Sequence, residues 1–472
     1  MIHMKYLRTR QQVYLQLSPG FSDVFAVWDS HHLNNAEKVC VPLICLLADM
    51  LRFSPENSIE AESFVHLQLD GLARNIMQHR MRAVFNHLSS GVRVRQNCAL
   101  ALLTSIASRN RSLAFELYRN FDFSTSSLNR LAIPRSSDRS NTASNRPRKE
   151  WTWMDPFSLP TRHMFVYFIL AFLERRDKTL LHHLLAQKAL LGNVMRHVAS
   201  DPKYLICRTL RLFREIVVCP ESRVPFRLRA ALCGDCSLEQ LTVICGSSNE
   251  RHHSEDGISE THTSAAIAAN LAQDIIMRIC TDPSIGVCPQ TDVRKQGMGS
   301  LLDTNQILTM ADEQANTTYL NEDVKVVPNF HTNVKDFSTQ SKGDDKKAAT
   351  IVRLLRKLRP VESPNHAELL LTVCALFPQI ASMYIRGAQL SVEPRPSVMW
   401  LITASHTGRI MLAASRDNIK LPHHSIIEKH ESMSFYRAVM PPCLDKAVFT
   451  RGLQHESGLV RHATLSLLLH VM

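Results

Sequence analysis

The chain has 472 residues, 45% of them hydrophobic, which is enough for several cores or for one elongated array. Only 15 residues are Gly and aromatic side chains make up 7%, which argues against a fold built on hairpin turns or on phosphate-cradling glycine loops. A formal charge of +12 points to a partner that is acidic over a large surface, nucleic acid first and anionic membrane second.

Residues 1–120 read as N-terminal helical repeats. Apolar periodicity predicts helices over 37–53, 61–79, 81–88, 94–106 and 112–119, with Ser-Pro at 18–19 and 54–55 and Ser-Ser-Gly at 89–91 as breaks. The opening ten residues have no apolar core behind them, and the runs 39–51 and 164–173 are too short to cross a bilayer, so neither a signal peptide nor a span is predicted. The helix over 94–106 carries a pattern that returns twice: Ala99, Leu100, Leu102, Leu103, Ile106; Thr209, Leu210, Leu212, Phe213, Ile216; and Thr464, Leu465, Leu467, Leu468, Val471. Six residues before the first Leu of each copy stands Val94, Tyr204 or Leu459. At about 100° per residue these positions make one apolar stripe too wide for a helix that covers a core on one side only. Such a helix is buried between neighbours. The expectation is an all-α, HEAT/armadillo-like helical solenoid with long polar insertions. The spacing of the copies is irregular, so three unrelated core helices in a Leu-rich protein are the alternative.

Residues 121–150 read as a basic polar linker. From Asn120 to Pro134 helical periodicity lapses, and 135–149 offers almost nothing to bury. Arg130, Arg135, Arg139, Arg146, Arg148 and Lys149 stand there against the single acid Asp138. This is the best local candidate for phosphate contact or nuclear import, with a solvated linker as the competing reading. No aromatic residue alternates with the basic ones, so a stacking platform for bases is not expected.

Residues 151–282 resume the repeats, with helices over 161–173 (Thr161 as its cap), 180–199, 204–218, 226–232, 238–245 and 265–280. Arg208, Arg211 and Arg214 fall on the polar side of the second patterned helix, a basic face that is either solvated or turned to phosphates. Residues 283–345 read as an irregular or disordered insertion with a short helical hint at 301–310. Residues 346–472 form C-terminal repeats, with helices over 348–359, 366–377, 380–387, 397–404, 408–415, 444–452 and 458–471. The last helix has no Gly, Asn or Pro exit signal and no polar face to close an array, so the array is expected to be truncated or its end covered by a partner.

No Walker loop, His-Glu-x-x-His or Gly-x-Ser-x-Gly sequence occurs, and Gly297-Met-Gly299 lacks both a third glycine and a preceding strand. Cys233-Gly-Asp-Cys236 with Cys245, His252 and His253 is a metal-like grouping without the second pair that a structural zinc site shows. The 12 Cys are mostly scattered through apolar helical patterns as small hydrophobes, which indicates a reducing compartment, cytosol or nucleus. The reading is therefore of a non-enzyme with no catalytic, cofactor or metal residues.

Five segments in sequence order resemble the nucleolar pre-ribosomal-associated protein 1 family. They are Asn120-Phe-Asp-Phe-Ser-Thr-Ser-Ser-Leu128; Pro160-Thr-Arg-His-Met-Phe-Val-Tyr-Phe-Ile-Leu-Ala-Phe-Leu173; Ile279-Cys-Thr-Asp-Pro283; His366-Ala-Glu-Leu-Leu-Leu371; and Thr450-Arg-Gly-Leu-Gln-His455 running into Leu459-Val-Arg-His-Ala-Thr-Leu465. The resemblance runs from about Phe25 to the end. It implies a nucleolar, nuclear scaffold without catalysis in early 60S (large) ribosomal subunit assembly and rRNA maturation. The implied partners are pre-ribosomal RNA or small nucleolar RNA and other pre-60S assembly factors, including a DEAD-box helicase, with no membrane, cofactor or small-molecule substrate. Family members are far longer, which agrees with a truncated array, and the family offers no short motif from which a site residue could be carried over. A helical-repeat adaptor unrelated to ribosomes, serving transport or trafficking, is the alternative.

Overall fold

The computed structural model describes residues 13–14, 17–18, 20–32, 37–52, 59–123, 125–135, 158–219, 224–247, 260–288, 337–388, 393–416 and 444–471. Among these residues every regular element is a helix, and no helix is long and apolar enough to cross a membrane. Two compact units divide the chain: residues 1–286 with 354–372, and residues 287–353 with 373–472.

The first unit contains α1 Ser22–His32, α2 Glu37–Arg52, α3 Ile59–His79, α4 Met81–Ser89, α5 Arg93–Arg109, α6 Arg111–Asn120 and α7 Ser126–Leu131. It continues with α8 Thr161–Glu174, α9 Lys178–Ala186, α10 Lys188–Arg196, α11 Lys203–Phe213, α12 Phe226–Leu232, α13 Asp235–Gly246 and α14 Glu260–Thr281. One row of helices forms its spine, with α2 packed on α5, α5 on α8, α8 on α11 and α11 on α14. Side-chain contacts show that each neighbour runs in the same direction. Cys45 meets Cys98 and Leu51 meets Arg109. Asn97 meets Leu159 and Ser108 meets Arg175. Tyr167 meets Arg208 and Arg176 meets Glu215; Cys207 meets Ser264 and Arg214 meets Asp274. Beside the row, α3 runs along α6 through Asp70–Asn110 and Arg74–Glu116, and α6 along α9 through Arg111–Asp177 and Tyr118–His183. This is the layout of a helical solenoid.

The first two copies of the repeated pattern are members of this row. In α5 every residue from Gln96 to Ala107 is buried, because α2 and α8 cover opposite sides of one helix. In α11, Leu205, Ile206, Leu210 and Phe213 are buried in the same way. The row also has members the pattern does not mark: α8, buried from Thr161 to Leu173, α2 and α14.

The structure corrects several boundaries. The helix expected over 180–199 is two helices meeting at Gln187, whose ψ of 72° leaves the helical region. Its side-chain amide donates to the Tyr118 hydroxyl at 3.1 Å. The expected 204–218 helix changes to π geometry at Arg214–Val218. The stretch after Asn120 holds the short helix α7 and packs Phe121 and Phe123 against Phe168. Thr161 does not cap α8: Pro160 is the N-cap, and Thr161 is already inside the helix with its hydroxyl buried.

One ion pair sits at the centre of this unit. Arg162, 2% exposed, donates from Nε and Nη2 to the two carboxylate oxygens of Asp201, both at 2.7 Å. It also donates to the carbonyls of Ala132 and of Val194, the latter at 3.0 Å. One guanidinium thus fastens the stretch after α7, the end of α10 and the entry to α11 onto the start of α8.

Helices α15 Phe337–Lys357 and α16 Pro364–Leu376 are divided between the units. Within the first unit, His366 accepts at Nδ1 from the Arg359 amide at 3.1 Å and contacts the Thr242 carbonyl through Nε2 at 3.0 Å. The second unit adds α17 Pro378–Gly387, α18 Val398–Arg416, α19 Lys446–Leu453 and α20 Gly458–Val471, with α18 packed on α17 and α20, and α19 on α20. The two helices expected over 397–404 and 408–415 are one, α18. Gly408 is a point of close approach, since a Cβ there would lie 3.2 Å from His470 Nδ1, and it does not break the helix. In α20, the third copy of the pattern, Thr464 and Leu467 are buried, but Leu459, Leu465 and Leu469 are 59%, 48% and 66% exposed. The helical hint at 301–310 lies outside the described residues.

Two predictions follow from burial. Leu100→Ala, in a helix covered on both sides, should cost about 2–5 kcal/mol, whereas Leu465→Ala at the equivalent pattern position should cost less than about 1 kcal/mol. Urea unfolding followed by far-ultraviolet circular dichroism measures both. Arg162→Met should cost about 3–5 kcal/mol by leaving a buried carboxylate unpaired, and adding Asp201→Leu should recover most of that loss. A double variant no more stable than the single one would show that the carbonyl contacts matter more than the ion pair.

Candidate functional site

The parallel row places the C-terminal ends of α2, α5, α8 and α11 along one rim, where the negative ends of helix dipoles favour cations. Arginines occupy it in succession. Arg109, just inside the end of α5, donates to the Leu51 carbonyl at 3.2 Å, and Arg175, just past α8, donates to the Ser108 carbonyl of α5. Each therefore binds an open carbonyl of the helix before it in the row.

The predicted basic face of α11 lies on this rim. Arg208 pairs with Glu174 through Nη2 at 2.6 Å, and its guanidinium stands 5.3 Å from the Tyr167 ring centroid. Arg214 pairs with Asp274 at 2.7 Å, and the same carboxylate takes Arg278 at 3.2 Å. Arg176 pairs with Glu215 at 2.5 Å. Arg211 is exposed, and with Lys203 it counteracts the burial that pushes the Cys207 thiol upward. Across α8, α11 and α14 the arginines 176, 208, 214 and 278 meet the carboxylates Glu174, Glu215 and Asp274, and with exposed Arg211 this leaves a positive surplus on one strip. Exposed ion pairs of this kind are worth about 0–1 kcal/mol each. An incoming phosphate can displace such carboxylates at little cost.

The predicted basic segment is anchored at the opposite rim, by the N-terminal ends of α5 and α8. Arg130 is exposed on α7, and Arg135 donates to the Gln96 side-chain oxygen at 2.7 Å. Gln96 in turn donates to the Leu88 carbonyl at 2.9 Å, and the next residue, Asn97, donates to the Leu159 carbonyl at 2.7 Å. Two adjacent buried amides on α5 thus hold residues 135 and 159, on either side of the sequence containing Arg139, Arg146, Arg148 and Lys149. Those four residues lie outside the described ones. The segment's anchors and the Arg208–Arg214 face are separated by the length of α8, roughly 20 Å for 14 residues at 1.5 Å each. Among the described residues, Arg130 and Arg135 are not brought together with Arg208, Arg211 and Arg214. Sequence reading missed the Gln96–Asn97 clamp, although two adjacent amides inside an otherwise apolar helix were a visible signal.

The three cysteines of the metal-like grouping differ in burial. Cys233 and Cys245 are fully buried, and burial pushes each thiol up to about 12, whereas Cys236 is exposed. His252 and His253 lie outside the described residues. Among the described residues no cluster of three potential metal ligands occurs. His163, beside Arg162, is held neutral by burial and by that cation, which bring it down to about 4.

A family model described as Npa1, ribosome 60S biogenesis N-terminal, matches residues 21–403. No curated protein matches the chain significantly. Among solved structures, the crystal structure of an engineered protein aligns over 98% of this chain and 94% of its own, at 12% identity and a TM-score of 0.20, which is too low to bear on the fold.

Asn97→Ala removes the donor to the Leu159 carbonyl inside the core and should cost about 1–3 kcal/mol in urea unfolding. A loss below about 0.5 kcal/mol would show that the clamp is not needed to hold residue 159.

Proposed function

This chain belongs to the Npa1, ribosome 60S biogenesis N-terminal, family, and from that premise we propose that it is a scaffold without catalytic function in early large-subunit assembly and rRNA maturation. The observation that carries the proposal beyond the family role is the arginine strip across α8, α11 and α14, whose surplus charge follows the helix row instead of converging on a pocket. In this reading Arg208, Arg211 and Arg214 exchange their carboxylates for phosphates of pre-ribosomal RNA or small nucleolar RNA. The segment with Arg130, Arg135, Arg139, Arg146, Arg148 and Lys149 adds a second contact, or serves nuclear entry, from the clamped rim of the row. Apolar helix faces take other pre-60S assembly factors, a DEAD-box helicase among them, in the nucleolus.

Phosphate contacts of this kind release counterions, so affinity falls with salt by about 0.7 logarithmic units per contact on single strands. Replacing Arg208, Arg211 and Arg214 with Ser should weaken RNA binding and flatten its salt dependence, as should replacing Arg139, Arg146, Arg148 and Lys149. Crosslinking in cells followed by sequencing should recover large-subunit pre-rRNA or small nucleolar RNA. Recovery of background RNA alone, with unchanged salt slopes in both variants, would favour a protein-binding adaptor and overturn the RNA assignment.

A further inference from the structure

We infer that Cys45 and Cys98 form a peroxide-responsive dithiol that closes into a disulfide between the first two helices of the inner row. Their sulfurs lie 3.0 Å apart across the α2–α5 contact, both cysteines being reduced. A disulfide needs about 2.05 Å, so the sulfur atoms must approach by roughly 1 Å.

The two thiols are placed for different tasks. Cys45 is half-buried on α2 and open to a small oxidant, whereas Cys98 is fully buried in α5 and reaches only its neighbours. Arg52 stands seven residues after Cys45, two turns along the same helix face, and its guanidinium interacts electrostatically with the Cys45 sulfur. It faces Asp49 at 3.7 Å, and its Nε and Nη2 are buried without a hydrogen-bond partner among the described residues. A neighbouring guanidinium favours the thiolate, the form that attacks peroxide. At Cys233, Cys245 and Cys374 burial dominates and pushes each thiol up to about 12, even with Arg229 acting on Cys233.

The oxidant is a hydroperoxide. The Cys45 thiolate attacks one peroxide oxygen, the O–O bond breaks, and the leaving hydroxide or alkoxide takes up, through solvent, the proton that the thiol released on ionising, so that water or an alcohol departs and a sulfenic acid remains on Cys45. The Cys98 sulfur then attacks Cys45, the S–S bond forms, the S–O bond breaks, and water leaves with the Cys98 proton. Two electrons pass from the sulfur pair to the peroxide. The product staples α2 to α5 and closes a loop of 53 residues, which restricts the unfolded chain.

The test uses the full chain exposed to hydrogen peroxide, blocked with a thiol-alkylating reagent and digested without reduction. Mass spectrometry should find a Cys45–Cys98 linked peptide that dithiothreitol abolishes, and the melting temperature should rise by roughly 2–4 °C or more. Cys45→Ser should remove both effects. Cys98→Ala, which keeps the attacking thiol, should accumulate a Cys45 sulfenic acid captured by a 1,3-dione, and this decides the matter should Cys45→Ser lose helicity. Oxidation of exposed Cys236 while Cys45 and Cys98 remain reduced, or conversion of Cys45 to a sulfinic acid with Cys98 untouched, would overturn the inference.

Discussion

The first unit depends on one buried charge being answered in place. A guanidinium at 2% exposure has lost its water, and Arg162 recovers hydrogen bonds only where Asp201 and the carbonyls of Ala132 and Val194 converge. Burial pushes the Asp201 carboxyl up, to about 6, even with Arg162 beside it, a measure of the desolvation the pair must overcome. Such a pair adds less to net stability than hydrophobic residues of the same volume would, but it tolerates few alternatives. A shift of one residue in α8 would strand both charges, so the register of α8 against the entry to α11 is fixed.

A parallel row has a consequence that an antiparallel bundle avoids: dipole ends of one sign accumulate along each edge. The chain answers at the C-terminal edge with arginines, and Arg109 and Arg175 close carbonyls of the preceding helix just as the packing requires. These two are structural before they are anything else. Farther along, Arg208 and Arg214 meet carboxylates on either neighbour of α11, and Arg211 between them is exposed. The same constraint that holds the row together therefore concentrates positive charge on its rim, which makes a docking surface available as a by-product of folding.

How much of this was legible in the sequence depended on whether the partner lay close along the chain. The wide stripe of Leu100, Leu103 and Ile106 identified α5 correctly as a helix with two covered sides, and its echo at Leu210, Phe213 and Ile216 identified α11. The helix α2 carries the same spacing as Cys40, Val41, Leu43, Ile44 and Leu47, but with Cys where Ala or Thr was sought and Val where Leu was sought. In α8 burial on all sides erases any stripe. The break expected between 404 and 408 is absent, and no local pattern shows the His470 ring packed beside Gly408. Arg162 looked like any polar residue near a helix start; its carboxylate is 39 residues away, and no local pattern joins them. The basic face of α11 was readable as three arginines at even spacing, but not the Glu174 and Asp274 that meet two of them.

Those carboxylates bear directly on the proposed role. A rim of uncommitted arginines would bind any polyanion and would strain the fold by self-repulsion, whereas paired arginines hold their charge in reserve until a stronger acceptor arrives. Exchange of Glu174 or Asp274 for phosphate is selective only in aggregate, because each step gains little and phosphate contacts position a nucleic acid without reading its bases. Discrimination must then come from geometry: a strand has to meet successive helices of the row, about 10 Å apart, in step. In the proposed role such an interface would select for the path of a folded RNA, and the regular spacing of the parallel row is what would make that selection possible.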